Sequence, residues 1–409
     1  MASKKNILLI SYVFPPHFGI GGRRWAKLAK EMADRGNHVH VIYAANPYPK
    51  VSLWYNEIKN HQNISFHELP LGHPKTFIIA PKNIWEKIEY RIWMTILKPF
   101  VKGAIFDRGI FWRKPMLKLA EKIILENNIE AVFTTGAPFR AVYHSLNLKR
   151  TFPKIKLITD IRDAWTWSTV WGFGSLNEKQ KIEENFKEEQ VIKNSDYITV
   201  PARTFESVLL KKYPDQKEKI KFVSHFYDPS DFNFQAKKRL SNDRKILFFG
   251  TIYQGTQHIF EAVASCIEQT KDANLSLHLY TDDIDKLPEF AEKNSFIRFQ
   301  KTVPTRQLFE EGLPADYILF IFPDYAIDNI STKFYEVLAT KTPVILIANS
   351  GMQSDFITSN GLGIHIRPNE ILEKLLPILK NTEPLQISQD FVVEEFSLSN
   401  AADKMLSLI

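Results

Sequence analysis

One cysteine in 409 residues leaves this chain no intrachain disulfide framework. Cys266 lies in an apolar helical pattern, so a packed small hydrophobe in a reducing compartment is its expected role. Long apolar runs are missing too. Ile7–Phe14 follows Lys4 and Lys5 as the core of a short signal peptide would, but two prolines and a glycine loop come next without a small-residue cleavage site. A first buried strand at Ile7–Tyr12 is the expectation, and with no stretch long enough to span a bilayer the expected location is cytoplasmic. The eleven histidines show no ligand spacing, and neither a Ser/His/Asp nor a Cys/His arrangement stands out, so no covalent nucleophile and no essential metal are expected. The literal D-x-D at Asp283–Asp285 sits in a charged loop before a helix, and so short a pattern assigns no metal. There is no internal repeat. A net charge of +7 is too mild and too mixed for a nucleic-acid partner and suits anionic small ligands or an anionic membrane surface.

What is present is ordinary globular composition, 44% hydrophobic and 24% charged, with regular alternation of strand and helix signals in both halves. This predicts an α/β protein of two domains, 1–234 and 245–390, joined by the polar, aperiodic Gln235–Arg244, with a terminal segment 391–409. The opening reads as strand Asn6–Tyr12, loop Val13–Gly22, helix Arg23–Arg35 and strand His38–Ala44, with Trp25, Leu28, Ala29 and Met32 as a core-facing stripe. The loop then falls at a carboxyl strand end, where open α/β sheets bind ligands; Gly21 and Gly22 let backbone approach an anion, and Arg24 is a candidate contact. The glycines do not complete G-x-G-x-x-G.

From 77 to 118 the composition shifts to eight aromatics and nine Lys/Arg against three acids. Trp85, Ile88, Ile92 and Ile96 share one helical face near basic residues, which fits either a membrane-surface helix or half-buried core packing of a helical insertion. Further on, strand Lys156–Asp160 leads into Asp160, Arg162 and Asp163, charges that can line a cleft or staple a loop. In the second half, strand Lys245–Phe249 is followed by Gly250–Gln257, where Tyr253, Thr251 and Gln254 offer hydrogen bonds but no cation.

The segment Phe322–Ser350 organises the rest. It reads as a strand end, a polar loop, a helix opening at Ser331/Thr332 and the strand Val344–Ala348. A helix N-terminus and Lys333 suit an anion, while Asp328 and Glu336 can accept hydrogen bonds from hydroxyls, so phosphate plus polyol is the chemical demand.

These residues resemble a known family. STKFYEVLATKTPVILIA is similar to the donor segment of retaining glycosyltransferases of family 4; PPHFGIGGRRWAKLAKEMADRGNHVHVI is similar to their opening loop, helix and strand; and TTGAPFRAVYHSLNLKR with LITDIRDAWTW resembles a T-S-x-P…D-x-R-D-x-W signature found in polysaccharide biosynthesis. The resemblance implies a GT-B fold: two Rossmann-like, doubly wound domains facing across a cleft, with a C-terminal helix crossing back to the first. It implies hexosyl transfer from a nucleoside diphosphate sugar, a donor substrate with no cofactor beside it, to a glycan or lipid-linked acceptor that 77–118 would face; the basic amphipathic pattern of that stretch adds the expectation of peripheral contact at the inner face of a membrane. It assigns Asp163, Arg162 and Asp328 to catalysis; Glu336, Lys333, Ser331, Thr332, Gly250, Tyr253, Gly21 and Gly22 to the donor; and Arg24 and Asp160 to the acceptor side. The family's paired acids at E-x7-E are Asp328 and Glu336 here, and its usual Arg and Lys are missing from Gly250–Gln257. That departure keeps a non-catalytic scaffold of an assembly complex open as an alternative, beside a sugar-nucleotide epimerase or hydrolase.

Overall fold

Short runs of aliphatic residues bounded by glycines and polar turns become parallel strands buried on both faces. The computed structural model describes residues 4–101, 103–104, 107–168, 173–232, 243–287, 290–312, 314–326, 332–381, 385, 387–388 and 391–409. They divide into two compact units, Met1–His225 with Leu398–Ile409, and Phe226–Ser397.

In the first unit β1 (Asn6–Ser11), β2 (His38–Ala44), β3 (Ile64–Leu69), β4 (Ala131–Gly136), β5 (Lys156–Ile161), β6 (Tyr197–Val200) and β7 (Ile220–Phe222) form a sheet of order β3-β2-β1-β4-β5-β6-β7. Every pairing is parallel, and β1 stands between the two wings: Leu9 faces Val41 on one side and Phe133 on the other. The helix Arg23–Asp34 covers one face, with Trp25, Leu28, Ala29 and Met32 all buried as their spacing predicts. The helix Leu398–Leu406 belongs to this unit, burying Leu398, Ala401, Ala402 and Met405. Arg35 ties it down, donating to Asp403 at 2.5 Å and to the Ser399 hydroxyl at 2.8 Å.

The second unit repeats the scheme with β8 (Arg244–Phe249), β9 (Leu275–Tyr280), β10 (Ile297–Gln300), β11 (Tyr317–Ile321), β12 (Val344–Ile347) and β13 (Gly363–Ile366), in the order β10-β9-β8-β11-β12-β13. Here β8 and β11 meet at the reversal, Leu247 facing Ile318. In an open parallel sheet such a reversal leaves a crevice at the carboxyl ends of the strands, since the connections leave it in opposite directions. Each unit has one, past β1/β4 and past β8/β11. The edge strands β3 and β13 carry no clear strand signal: Ser65, His67 and Glu68 interrupt the apolar pattern of the first, and the second is only four residues long.

Between β3 and β4 lies a helical insertion. Its helix Ile84–Phe100 is capped by Asn83, whose side chain accepts from the Glu86 N–H at 2.9 Å. Tyr90 packs edge-on against Phe77 (5.7 Å), Trp93 against Phe111 (6.1 Å), and Leu97 is buried. The stripe Trp85, Ile88, Ile92 and Ile96 is exposed instead, so core packing of that face does not hold. The insertion is rooted at the carboxyl end of β1: the ring of Tyr12 lies 4.6 Å from that of Trp112, and its hydroxyl is 2.9 Å from His73 Nε2. Among the described residues no helix is long and apolar enough to cross a membrane.

Candidate functional site

The first unit's crevice is bordered by the loop after β1 and the turn after β4. A Cβ on Gly22 would come within 2.9 Å of Pro15 Cδ, and one on Gly21 within 3.2 Å of Val13 Cγ1, so glycine lets this loop fold onto its own beginning. Arg162, just past β5, reaches both borders: it donates to the carbonyl of Gly21 and, at 3.3 Å, to that of Ala137. Its Nε donates to Asp163 Oδ2 at 3.1 Å, and the same oxygen accepts from the Ala137 N–H at 3.2 Å. The Asp163 side chain is 34% exposed, so its carboxylate is held by Arg162 and the Ala137 N–H while part of it stays open to solvent.

Arg24 and Asp160, read from sequence as acceptor-side residues, are instead turned into the domain. Asp160 is fully buried and accepts from Arg24 Nε (3.1 Å), Trp25 Nε1 (2.8 Å) and the Thr199 hydroxyl (2.8 Å). Arg24 spends its remaining donors on the carbonyls of Ser224 (2.7 Å) and Val223 (2.8 Å). A guanidinium engaged this way holds the helix Arg23–Asp34, β5 and the end of β7 together and has no geometry for a ligand. The rest of the D-x-R-D-x-W stretch is also anchored inward. Trp165 stacks on Phe139 at 4.4 Å and donates to Glu184 at 3.0 Å, while Thr166 donates to Glu188 at 2.8 Å. Glu184 is buried; Lys187 and the N–H groups it accepts from hold its carboxyl below the usual range despite that burial.

In the second unit Gly250 closes β8 with φ +108, and a Cβ there would overlap Lys333 Nζ at 1.7 Å. Glycine is needed on both counts. Lys333 enters from the helix Thr332–Leu338 and its ammonium lies 3.4 Å from the Phe249 carbonyl. Burial pulls its pKa down, opposed by the charges of Glu336 and Asp283. Glu336 is 8% exposed, one turn along the same helix. Tyr253 stands at the rim, its ring 5.8 Å from Phe322 and 6.2 Å from Tyr325. The loop is pinned by Asp283, which accepts from the Ile252 N–H at 3.1 Å and pairs with Lys286 at 3.0 Å, so this carboxylate serves the loop backbone. Among the described residues no three His, Cys, Asp or Glu side chains are grouped to hold a metal ion. Asp328 and Ser331 lie outside the described residues.

The structure thus gathers Gly21, Gly22, Arg162 and Asp163 at one reversal, and Gly250, Tyr253, Thr332, Lys333 and Glu336 at the other. Two further residues were not foreseen. Tyr325 is 54% exposed beside Tyr253; its place inside the Phe322–Ser350 segment was the available signal. His17, in the loop after β1, has Nδ1 3.0 Å from the Phe18 carbonyl and a buried Nε2 without a partner among the described residues. Burial lowers its pKa, favouring the neutral ring, and because the Phe18 carbonyl must accept from Nδ1–H, Nε2 of that neutral ring is an acceptor.

No protein-family model matches the chain, and no curated protein does. Solved structures do. A sucrose-phosphate synthase from Thermosynechococcus elongatus matches with TM-score 0.65 and 14% identity over 99% of this chain and 98% of that one. A glycosyltransferase from Rickettsia africae matches with TM-score 0.65 and 17% identity, covering 99% and 97%. Arabidopsis thaliana UGT89C1 complexed with UDP-L-rhamnose gives TM-score 0.59 and 12% identity, covering 99% of both chains. The chain has the GT-B fold. Its two Rossmann-like units carry the crevices described above, and at these identities the likeness concerns the fold alone.

Proposed function

We propose that this GT-B chain is a retaining glycosyltransferase of the family 4 type, moving a hexosyl group from a nucleoside diphosphate sugar to a glycan or lipid-linked acceptor at the inner face of a membrane, in polysaccharide synthesis. The observation that carries the reading is the desolvated Lys333 ammonium set against Gly250 at the second unit's strand reversal. An ammonium drawn out of water gains most from a diphosphate, and it sits where open α/β sheets bind nucleotides. It supplies the positive charge that Gly250–Gln257 lacks. Glu336 is the proposed partner of the ribose hydroxyls, with Thr332, Gly250 and Tyr253 around the donor; Ser331 and Asp328 keep their sequence-based roles in donor binding and catalysis. In the transfer, the bond from the sugar's anomeric carbon to the diphosphate oxygen breaks with its electron pair leaving on the diphosphate. The acceptor oxygen bonds the same face of that carbon, and its proton passes to the leaving phosphate oxygen. Asp163, held by Arg162, faces the acceptor; Gly21, Gly22 and His17 form its loop. No metal enters this scheme.

A thermal-shift screen with UDP, GDP, ADP, CMP and their sugars, with and without magnesium, tests the reading. One responding nucleotide, weakened in Glu336→Ala, is expected, because a ligand of the folded state raises Tm by mass action. No response from any nucleotide would leave the scaffold reading standing. Release of free sugar or an epimer without acceptor would favour an epimerase or hydrolase.

A further inference from the structure

The exposed face of the insertion helix carries information that neither crevice uses. Along Ile84–Phe100, Ile84 (65% exposed), Trp85 (76%), Ile88 (40%), Ile92 (52%) and Ile96 (50%) form an apolar stripe in which Thr95 is the polar member. At 100° per residue these positions fall within about a third of the helix circumference. The opposite face, with Tyr90, Trp93 and Leu97, is the one that packs on the domain. Stripes this large on a protein surface mark a contact.

Lys87 and Arg91 are exposed along one border of the stripe, one turn apart, and Lys82 is exposed just before the helix. Of the acids nearby, Glu86 caps the preceding turn through the Lys82 N–H (2.8 Å), while Glu89 accepts from the Thr76 hydroxyl (3.3 Å) and is exposed on the border away from Lys87 and Arg91, so the cationic border is the Lys87/Arg91 side. The outward face therefore pairs apolar side chains with a cationic border. An apolar protein groove would match the stripe alone; a bilayer rich in anionic lipid matches both parts, taking the isoleucines below the headgroups, the Trp85 indole at the interface and the cations at the phosphates. We infer that Ile84–Phe100 is an in-plane membrane helix that docks this protein on an anionic bilayer. Because the insertion is rooted on Tyr12, Trp112 and His73 at the carboxyl end of β1, docking holds the loop after β1 close to the lipid surface. The inference rests on the lipid-linked acceptor reading for its purpose, but its test contains neither nucleotide nor acceptor, so either can fail alone.

The test is flotation of the full chain with vesicles of phosphatidylcholine alone and of phosphatidylcholine mixed with phosphatidylglycerol, at low and high salt. Flotation with the anionic vesicles, weakened by salt, is expected. Ile88→Ser with Ile92→Ser should lower the partition coefficient at least about tenfold. Lys87→Ala with Arg91→Ala should lower it about twenty-five-fold, about fivefold for each charge. Trp85→Phe should bind while losing a vesicle-induced blue shift of emission. All these side chains are exposed, so melting temperatures should match the parent and separate lost docking from lost folding. Three results would overturn the inference: no flotation with either vesicle, flotation indifferent to the isoleucine pair, or a lipid-free dimer that the isoleucine pair disperses, which would assign the face to a second copy of the chain.

Discussion

Arg162 and Lys333 both stand where a parallel sheet reverses its strand order, and they are used differently. Arg162 spreads a planar fork over carbonyls from two loops and over Asp163. Lys333 brings a point charge up against a glycine and is partly stripped of water there. A fork is suited to holding backbone, whereas a desolvated ammonium is suited to gaining an anion. The first crevice is thus preorganised by its own side chains, and the second is organised around a charge. The same kind of strand-order reversal thus carries a backbone-bracing guanidinium in one unit and a desolvated ammonium in the other.

The sharpest way to break this contrast is Asp160→Ala. With five hydrogen-bond donors from four side chains converging on a fully buried carboxylate, its loss leaves the Arg24 charge buried, and a cost of about 3–5 kcal/mol is expected. Urea denaturation followed by tryptophan fluorescence measures it. A loss below about 1 kcal/mol would mean the pair does not hold the first unit together.

The next effect separates the two cations directly. Lys333→Met should weaken binding of the responding nucleotide about tenfold to hundredfold, the worth of about 1.5–3 kcal/mol for a hydrogen bond to a charged group, without lowering the Tm of the nucleotide-free protein. Arg162→Met should lower stability by about 1–3 kcal/mol, since it orphans the carbonyls of Gly21 and Ala137. If both substitutions lowered Tm equally and neither changed nucleotide affinity, the distinction would collapse. Because burial lowers the Lys333 pKa, nucleotide affinity should also begin to fall at a more moderate alkaline pH than an ordinary lysine would give.

Much of this was legible before any coordinates. Apolar runs marked the central strands, and the glycine loops at Gly21 and Gly250 pointed to the two carboxyl-end borders, because strand, loop and helix signals are local. What was not legible was direction. The string Asp160, Arg162, Asp163 shows three charges, yet a strand alternates its faces, so Asp160 turns into the core while the residues past the strand end turn toward the loops. Arg24 was misread for the same reason: its partners lie about 136 and 200 residues away, and no local pattern reports them. The insertion helix gives the converse case. Its apolar spacing was visible, but which face meets the domain depended on Phe77 and Phe111 receiving Tyr90 and Trp93.

A smaller effect is expected at Gly250. Gly250→Ala demands a left-handed backbone angle from a residue with a Cβ and pushes against Lys333, so about 1–2 kcal/mol should be lost together with part of the nucleotide affinity. Adding Lys333→Met should relieve the overlap and recover some stability but no affinity, as measured by paired melting curves and calorimetry.

The gentlest comparison is by acid. In the first unit burial pushes His40 and His144 down to about 4 and lowers His17, His67, His73 and His225 as well, whereas in the second only His278 is pushed down, also to about 4. Each of these rings takes up a proton near 6.5 when unfolded but only at lower pH when folded. Between those values the unfolded state binds more protons, so stability falls as pH falls through the window. The loss should be steeper for the first unit, which carries more of the neutral buried imidazoles. All eight tryptophans precede residue 226, so their fluorescence reports that unit alone, while circular dichroism reports both. On lowering the pH from about 6.5 toward 4, the fluorescence-detected transition should move down further than the transition seen by circular dichroism, and His144→Gln should reduce the gap. Transitions that stay superimposed throughout would show that the two units unfold as one and that the buried imidazoles do not distinguish them.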